Sequence, residues 1–475
     1  MAADSQQEGA FAAAVSYLHA LDRHSAHQRT HAYAFGHGIA RARHLLSRLG
    51  GAPRATHRCV LIAGSKGKGS TAAMLTAMLS AAGYRVGLFT GPHLYTALER
   101  FVIGHGGQLE TMREAQFVAL ADQIAAIIAT WERTDLGLPT RFEAFTAMAY
   151  RWFEEQAVDL AVMEIGIGGR HDAVNLAEPI LSVITNISLE HTQILGSTLA
   201  EIAWAKAGIL RARRSAVIAP QTDEAKEVIL AEARQLGIAD QIHLVEAHCT
   251  ATRSRVQIDA AGASGQWACV HLHPRNPLAQ VIGTCTELFC PLLGDWQLEN
   301  LATALTALGI LHAQGFTVCA TAIRTGLANL RWPARFEVLH NAPLVIADGA
   351  HTPYAAARLC SSLRAYFPDR PVHFVVGVLR DKDAAGILKA VAQCAARVTC
   401  TTLPLDRALP ADQLLAIWQA QHRNGHAPSA TLIHDPEHAL RCALDGARHD
   451  EMICVTGSLH LAAQASRWVK ANLQP

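Results

Sequence analysis

The sequence predicts an α/β protein with a P-loop-type, mostly parallel sheet domain and a smaller, Rossmann-like α/β domain at its C-terminus. Short, continuous apolar runs alternate with helical stretches, as is typical of strands buried on both faces of a parallel sheet. The first of these runs ends in closely spaced glycines that lead directly into a helix. The chain has 475 residues. A single core rarely organises so many, so we expect two domains.

The first half of the chain supplies the elements of the larger domain. Apolar residues at helical spacing predict a helical lead-in over residues 1–50, which stops at Gly50-Gly51. A strand over Cys59–Ala63, a glycine-rich loop and a helix over Thr71–Ala82 follow. Further buried strands are predicted at Val86–Phe89, Val158–Ile165 and Leu181–Ile187.

A second series of buried strands begins shortly after residue 340. Helical stretches separate its members, which are Leu344–Ala347, Val372–Val376, Val398–Thr401, Thr431–Ile433 and Met452–Thr456. We therefore expect one domain over residues 1–340 and a second over 341–475. Between residues 250 and 280 the apolar runs are short and alternating, which predicts antiparallel ribbons or a surface excursion.

Charge and cysteine content narrow the class of partner. Lys plus Arg number 41 and Asp plus Glu number 40, and the absence of a block of like charge argues against nucleic acid or membrane partners. The 11 cysteines contain no CxxC pair, which favours reduced thiols over a disulfide framework. No signal-peptide pattern or bilayer-length apolar segment occurs. We expect a cytoplasmic monomer that acts on small molecules.

The glycine-rich loop over Gly64–Ser70 is the strongest functional signal in the residues themselves. A strand that turns through glycines into a helix directs backbone N–H groups and the positive helix end at one point, which suits a polyphosphate. Lys68 would reach the terminal phosphates. The loop departs from the Walker pattern because Gly69 separates this lysine from Ser70. The alternative is a flexible surface turn.

Segments between residues 40 and 461 resemble, in order, the motifs of the folylpolyglutamate synthase/dihydrofolate synthase group of the Mur ligase superfamily. The loop is similar to the group's GTNGKGS motif, Gly83–His93 to AGYRVGLYTSPH, and Met163–Asn175 to LEVGLGGRLDATN. The resemblance continues through Ile187–Thr192, Ile202–Ile209, Gly294–Asn300, Arg331–Glu337, Ala347–Pro353 and Val376–Asp383.

This resemblance implies a set of site residues. Catalytic roles would fall to Lys68, to His351 and to Lys206, the last as the lysine that the family carbamylates with CO₂. The ATP contacts would be Gly64, Ser65, Lys66, Gly67, Lys68, Gly69, Ser70, Thr71, Asn300, Arg335 and Asp348. The magnesium ligands would be Glu164, His191 and Ser70. The acceptor would contact Thr140, Arg141, Phe142, Glu143, His171, Asp172 and Ala173.

The implied reaction is the ATP-dependent addition of L-glutamate to dihydropteroate, to folate, or to both, through an acyl-phosphate. It would require ATP and two Mg²⁺ ions, with K⁺ or another monovalent cation as a further candidate. Four departures leave the acceptor open. Gly91 stands where the family has a magnesium-ligating serine, and Arg141 stands where it has an aromatic residue. Trp296 stands where the family usually has histidine, and Thr352 where it has asparagine.

Two other functions remain as alternatives. One is a Mur-type ligase that joins an amino acid to a different carboxylic acid, and the other is a non-catalytic homologue that binds nucleotide or folate. Without the resemblance, Lys206 would be interpreted as a helix-surface lysine and His191 as a capping residue. An active enzyme is favoured because the chain retains Glu164, His191, Lys206 and Arg335.

Overall fold

The computed structural model describes residues 2–22, 37–133, 135–258, 264–422 and 428–473, with side chains from residue 8 onward. The chain forms two compact units. The first comprises Met1–Thr252, Cys269–Leu288 and Leu298–Leu330, and the second comprises Arg253–Ala268, Phe289–Gln297 and Arg331–Pro475. The sequence had suggested a single division at residue 340. The structural division comes earlier, and two short segments upstream of it also belong to the second unit.

An eight-stranded sheet forms the centre of the first unit. Its strands lie in the order β4-β3-β2-β5-β1-β6-β7-β8, and β3 and β4 are antiparallel to their neighbours whereas the remaining strands are parallel. The bounds are β1 Cys59–Ala63, β2 Val86–Phe89, β3 Phe101–His105, β4 Gln108–Thr111, β5 Leu160–Glu164, β6 Leu181–Ile184, β7 Ser215–Ile218 and β8 Ile242–Leu244. Since β1 lies between β5 and β6, the residues that follow these three strands meet at one sheet edge.

The helices of the first unit connect and cover these strands. They are α1 Ala2–Ala20, α2 His37–Arg48, α3 Pro53–His57, α4 Lys68–Ala81, α5 Glu114–Ala129, α6 Arg141–Glu155, α7 Thr192–Leu195, α8 Leu199–Ala207, α9 Asp223–Gln235, α10 Ala279–Ile282, α11 Asp295–Ala313 and α12 Ala320–Ala328. Helix α4 is buried throughout Ser70–Ser80. A Cβ at Gly326 of α12 would lie 2.5 Å from the carbonyl oxygen of Ala77, so the missing side chain allows these two helices to pack closely.

A separate three-stranded sheet accounts for the short alternating runs after residue 250. It consists of β9 Cys249–Ile258, β10 Ser264–Leu272 and β11 Cys285–Cys290 in the order β11-β10-β9. Buried and exposed positions alternate over most of β10, as expected for a strand with one solvated face.

The second unit contains a six-stranded sheet in the order β12-β13-β17-β14-β15-β16. Its strands are β12 Glu337–Asn341, β13 Leu344–Ala347, β14 Val372–Val376, β15 Ala395–Cys400, β16 Ser429–Leu432 and β17 Met452–Thr456. Its helices are α13 Pro353–Tyr366, α14 Ala384–Ala392, α15 Ala411–Gln421, α16 Pro436–Asp445 and α17 Leu459–Asn472. All strand pairs are parallel except β12 with β13.

The fold class predicted from the sequence is confirmed, because apolar runs buried on both faces do form parallel sheets in both units. Strands β3, β4, β7 and β8 of the first sheet and the antiparallel edge strand β12 of the second were not predicted. Within the described part of the chain, no helix is both long and apolar enough to cross a membrane.

Candidate active site

The glycine-rich loop connects β1 to α4 and is held by residues that follow β6. Gly64 has φ 145° and Gly67 has φ 91°. A Cβ at the first position would overlap the hydroxyl of Thr185, and one at the second would overlap the side-chain oxygen of Asn300. Thr185 Oγ1 also donates a 2.7 Å hydrogen bond to the carbonyl of Lys66. Glycine is therefore required at both positions by close packing as well as by positive φ.

Two further contacts fix the loop to the segment after β6. The Ser65 amide donates to the carbonyl of Asn186 at 2.8 Å, and its hydroxyl donates to the carbonyl of Ser188 at 2.8 Å. Lys68 Nζ donates to the carbonyl of Gly64 at 2.9 Å, so the amino group lies over the loop that its own helix follows. This arrangement directs a cation and the start of helix α4 at one point.

A buried cluster of charge lies beside the loop. Lys206 is 1 % exposed, and its Nζ donates to the carbonyl of Gly64 at 2.8 Å and to Glu190 Oε1 at 3.1 Å. Lys66 Nζ lies 3.5 Å from the other carboxylate oxygen of Glu190. The interpretation of Lys206 as a surface lysine is therefore wrong, because α8 places its side chain against the loop.

The charges in this cluster perturb each other's pKa values. Burial lowers the pKa of Lys206 to about 8, although the nearby Glu190 acts to raise it. Burial alone would raise the pKa of Glu190, but the positive charges of Lys68, Lys206 and Lys66 lower it to about 2. The glutamate is thus ionised at neutral pH, and a fraction of Lys206 is neutral.

Glu164 is the last residue of β5 and is also buried. Its Oε2 accepts hydrogen bonds from Thr90 Oγ1 at 2.5 Å and from the Gly91 amide at 3.1 Å. His191 is the exposed residue that precedes α7, with φ 49°. Ser70 is buried in the first turn of α4.

The oxygen atoms around the loop are chemically suited to a magnesium ion. Three buried side-chain oxygens near the loop, Thr71 Oγ1, Asn186 Oδ1 and Ser188 Oγ, accept and donate no hydrogen bond within the described structure. Hard oxygen ligands from carboxylates, hydroxyls and amides are the ones that Mg²⁺ prefers. Glu164 and Ser70, with these neighbours, therefore provide a donor set that fits the ion.

Arg100 occupies the space beside Gly91 and was not predicted as a site residue. A Cβ at Gly91 would overlap the Arg100 guanidinium. The guanidinium Nε donates to His93 Nδ1 at 3.0 Å, and its carbon lies 5.5 Å from the centroid of the Phe145 ring. Burial lowers the pKa of Arg100 to about 10, and the repulsion of Arg141 adds to this effect. The Arg100 guanidinium therefore fills the space that a side chain at position 91 would occupy.

Glu143 lies in a buried ion pair with Arg41 of helix α2. Arg41 Nε and one terminal nitrogen each lie 2.7 Å from a carboxylate oxygen of Glu143, and the other terminal nitrogen donates to the carbonyl of Leu136 at 2.7 Å. The Thr140 amide donates to the same carboxylate at 2.8 Å, and the Thr140 hydroxyl caps helix α6. The described structure thus gives Glu143 and Thr140 a role in organising the start of α6.

Arg141 faces the N-terminal helix. Its guanidinium lies 2.9 Å from Asp22 Oδ2 and 2.9 Å from His19 Nε2. Phe142 packs under the turn after β5, where a Cβ at Gly166 would lie 2.6 Å from its ring.

The turn after Gly166 carries the remaining predicted acceptor residues. Asp172 is buried and accepts from the amides of Ile167 and Val174 at 2.9 and 3.0 Å. Burial raises the pKa of Asp172 to about 6. Ala173 is buried, whereas His171 is partly exposed, and burial followed by the charge of Arg170 lowers its pKa.

The predicted nucleotide contacts are divided between the two units. Asn300 of α11 belongs to the first unit, and its side chain packs against Gly67 of the loop. Arg335, Asp348 and His351 belong to the second unit. There, Asp348 accepts from the amides of Phe336 and Ala350, each at 2.8 Å. Its carboxylate therefore orders the turn after β13.

Comparison with known proteins places this geometry in a family. The model of the Mur ligase middle domain matches residues 62–308, and that of the Mur ligase glutamate ligase domain matches residues 334–459. The chain is 31% identical over 411 residues to the dihydrofolate synthase/folylpolyglutamate synthase of Escherichia coli, with 86% of each chain covered. The chain belongs to the folylpolyglutamate synthase/dihydrofolate synthase family of Mur ligases.

Two further members of the family are informative. A solved structure of E. coli FolC in complex with DHPP and ADP has a TM-score of 0.75 and 29% identity, covering 91% of this chain and 93% of that one. A probable bifunctional folylpolyglutamate synthase/dihydropteroate synthase of Haloferax volcanii is 34% identical over 441 residues, covering 91% of this chain but 49% of the relative. The chain thus spans about half the length of this relative and of a second bifunctional one.

Three residues of the site were missed by the sequence analysis. Glu190 could have been found, because it precedes His191 in the segment that follows a predicted strand. Arg100 follows the matched segment Gly83–His93 by a few residues, and nothing in the sequence indicates that its side chain fills the space at Gly91. Arg41 gave no signal, since a single arginine in an amphipathic helix is normally solvated.

Proposed function

We propose that this protein is an ATP-dependent ligase that adds L-glutamate to dihydropteroate, to folate, or to both, through an acyl-phosphate. The observation that carries the proposal is the geometry of the loop Gly64–Ser70. Lys68 Nζ lies over this loop, and the buried Lys206–Glu190 ion pair packs against it through the carbonyl of Gly64. Membership of the family supports the reaction class, and the ADP and DHPP bound to the E. coli relative support the substrates.

The proposed reaction has two steps. A carboxylate oxygen of the acceptor attacks the γ-phosphorus of ATP, the bond from that phosphorus to the bridging oxygen breaks, and ADP leaves. The amino group of glutamate then attacks the acyl carbon, loses a proton, and displaces inorganic phosphate. Lys68 and the amides of the loop stabilise the charge on the transferring phosphoryl group, and His351 is proposed as a donor to the oxyanion of the second step.

We propose Glu164, His191 and Ser70 as magnesium ligands, where the ion would neutralise phosphate charge. Arg335, Asn300 and Asp348 remain proposed nucleotide contacts. Each carboxylate oxygen of Asp348 accepts one backbone amide and keeps a second lone pair for a nucleotide hydroxyl.

Lys206 is the proposed site of carbamylation. Its lowered pKa of about 8 leaves about a tenth of the amine neutral at pH 7, and only the neutral amine reacts with CO₂. Carbamylation would convert the ion pair with Glu190 into two like charges, so cations must then lie between them. Lys66, Lys68 and bound magnesium would supply those cations.

We propose that the acceptor binds at the start of α6 and the turn after β5. Phe142 and His171 are partly exposed at the turn after β5 and are the best placed to contact a pterin or aminobenzoate ring. Arg141 is partly exposed, so we propose that it selects an acidic group on the acceptor while Asp22 holds its guanidinium. The 11 free cysteines support a reducing, cytoplasmic location, and we propose a monomer.

An ADP-release assay tests the proposal directly. Glutamate is offered with dihydropteroate, tetrahydrofolate and UDP-muramyl acids, and we expect turnover with at least one pterin. Turnover only with a muramyl acid would support the alternative Mur-type ligase, and nucleotide binding without any turnover would support a non-catalytic homologue.

A matched pair of lysine variants tests the loop. Lys68→Ala should abolish ADP release while the protein remains folded, because it removes the amino group that lies over the loop at the start of α4. Lys226→Ala is the control, since Lys226 forms an exposed ion pair with Glu246 on the surface of the same unit. Near-normal turnover by the Lys68 variant would remove the loop from the mechanism.

A further inference from the structure

A cluster of two thiols and one imidazole lies on the small three-stranded sheet. Cys269 and His271 are two residues apart on β10, so their side chains point to the same face of the sheet. Cys285 begins the adjacent strand β11. Cys269 Sγ lies 3.4 Å from His271 Nε2, and all three potential ligand atoms lie within 4.8 Å of one another. None of these residues has a role in the proposed ligase reaction.

The Cys269–His271 separation matches that between neighbouring ligands of a tetrahedral zinc ion. Zinc bonds of about 2.3 Å to sulfur and about 2.0 Å to nitrogen place neighbouring sulfur and nitrogen ligands about 3.5 Å apart and two sulfurs about 3.8 Å apart. The Cys269–His271 separation already has this value. Since the Cys285 sulfur lies within 4.8 Å of the other two ligand atoms, a shift of at most about 1 Å brings all three to the spacing of zinc ligands.

We propose that Cys269, His271 and Cys285 bind one zinc ion, or a chemically similar soft divalent ion, and leave a fourth position open. The two thiols each release a proton to solvent, and the neutral imidazole binds through Nε2, so no oxidant or reductant is required. Glu287 follows Cys285 by two residues and lies on the same face of β11, where its carboxylate or a water molecule can complete the coordination.

The electrostatics of the cluster favour a cation. Two ionised thiols on adjacent strands, with the Glu287 carboxylate two residues beyond Cys285, would repel one another. A divalent cation removes this repulsion by neutralising both thiolates. A disulfide between Cys269 and Cys285 is the competing outcome, but it would involve only the two sulfurs and would not account for the contact between Cys269 and the His271 imidazole.

Cobalt is a suitable probe because Co²⁺ in a thiolate site gives an intense sulfur-to-metal charge-transfer absorption. The full-length protein is reduced, freed of metal with a chelator and titrated with Co²⁺ in a reductant that does not bind metal. We expect one equivalent to produce the band and one equivalent of Zn²⁺ to remove it. Cys269→Ser and Cys285→Ser should abolish the band, and His271→Ala should weaken binding by more than about tenfold.

Cys319→Ser is the matched control, since Cys319 is another exposed cysteine of the first unit that lies outside the cluster. This variant should retain the band and the stoichiometry. Far-ultraviolet circular dichroism checks that every variant is folded. The proposal is overturned if the wild-type protein gives no charge-transfer band, if the band persists in the Cys269 and Cys285 variants, or if mass spectrometry finds these two cysteines joined under the reducing conditions.

Discussion

Replacing Arg41 with leucine should destabilise the first unit, because it removes the counter-ion of a buried carboxylate. Arg41 is 1 % exposed and forms two 2.7 Å bonds to Glu143, whose side chain is 7 % exposed. The variant leaves this carboxylate buried without its counter-ion. Breaking such a pair from one side costs about 3–5 kcal/mol, which is a large part of the stability of a typical domain. In the variant, the Thr140 amide still donates a hydrogen bond to the Glu143 carboxylate, so we expect a cost near the lower end of that range.

A double-mutant cycle measured by urea denaturation tests this reasoning. We expect Arg41→Leu and Glu143→Leu each to lower the free energy of unfolding by several kcal/mol, and the double variant to lose less than the sum, because no unpaired charge remains. Tryptophan fluorescence and circular dichroism follow the unfolding transition. Arg54→Leu is the control, since Arg54 and Asp159 form an exposed pair at 3.3 Å worth at most about 1 kcal/mol.

The cycle also distinguishes two roles for Glu143. If the carboxylate contacted the acceptor, Glu143→Gln would raise the KM for that substrate and leave stability nearly unchanged. The structure instead predicts a loss of stability with a smaller effect on KM. An Arg41→Leu variant within about 1 kcal/mol of the wild type, or strictly additive single variants, would refute the buried-pair reasoning.

Three further predictions concern the loop and its surroundings. Gly67→Ala should lower kcat/KM for ATP by at least about tenfold, because a Cβ with positive φ would overlap Asn300 and displace the loop. Glu190→Gln should reduce the loss of stability on acidification. The folded pKa of about 2 lies below the ordinary 4.5, so this group contributes on the order of 3 kcal/mol above pH 4.5, and the contribution is lost as the pH falls towards 2. Gly91→Ser should cost about 1 kcal/mol in thermal unfolding, because the new side chain displaces the end of the Arg100 side chain and breaks its hydrogen bond to His93.

Each of these predictions has a control. Gly83→Ala is the control for Gly67→Ala. Gly83 also has a positive φ, 95°, but a Cβ there has no atom within 4 Å, so this variant measures backbone strain without the clash with Asn300. Glu246→Gln alters an exposed carboxyl and should keep the wild-type pH profile of stability; an identical profile for the Glu190 variant would contradict the buried-cluster account. Gly9→Ser adds a side chain in open space, and equal melting temperatures for it and for the Gly91 variant would show that Arg100 does not fill that position.

Local features of the sequence were sufficient to predict most of the sheet strands and the phosphate-type loop. Runs such as Val60–Ala63 are apolar on both faces, and only a strand covered on two sides can bury them. The glycines at positions 64 and 67 indicate a backbone that side chains cannot follow. The order of matching segments then indicated the family, which the comparisons confirm.

The sequence by itself therefore determined the fold class, the family and the loop, because those properties follow from local composition and from the order of motifs. Tertiary structure decided the surroundings of each charge. Without the family resemblance, the local sequence suggests that Lys206 is a surface residue, and it does not indicate that Arg41 is buried. Both residues are 1 % exposed. Their partners Glu190 and Glu143 are distant enough in the chain that only folding brings the charges together. Burial and pairing depend on such contacts, and no local pattern encodes them.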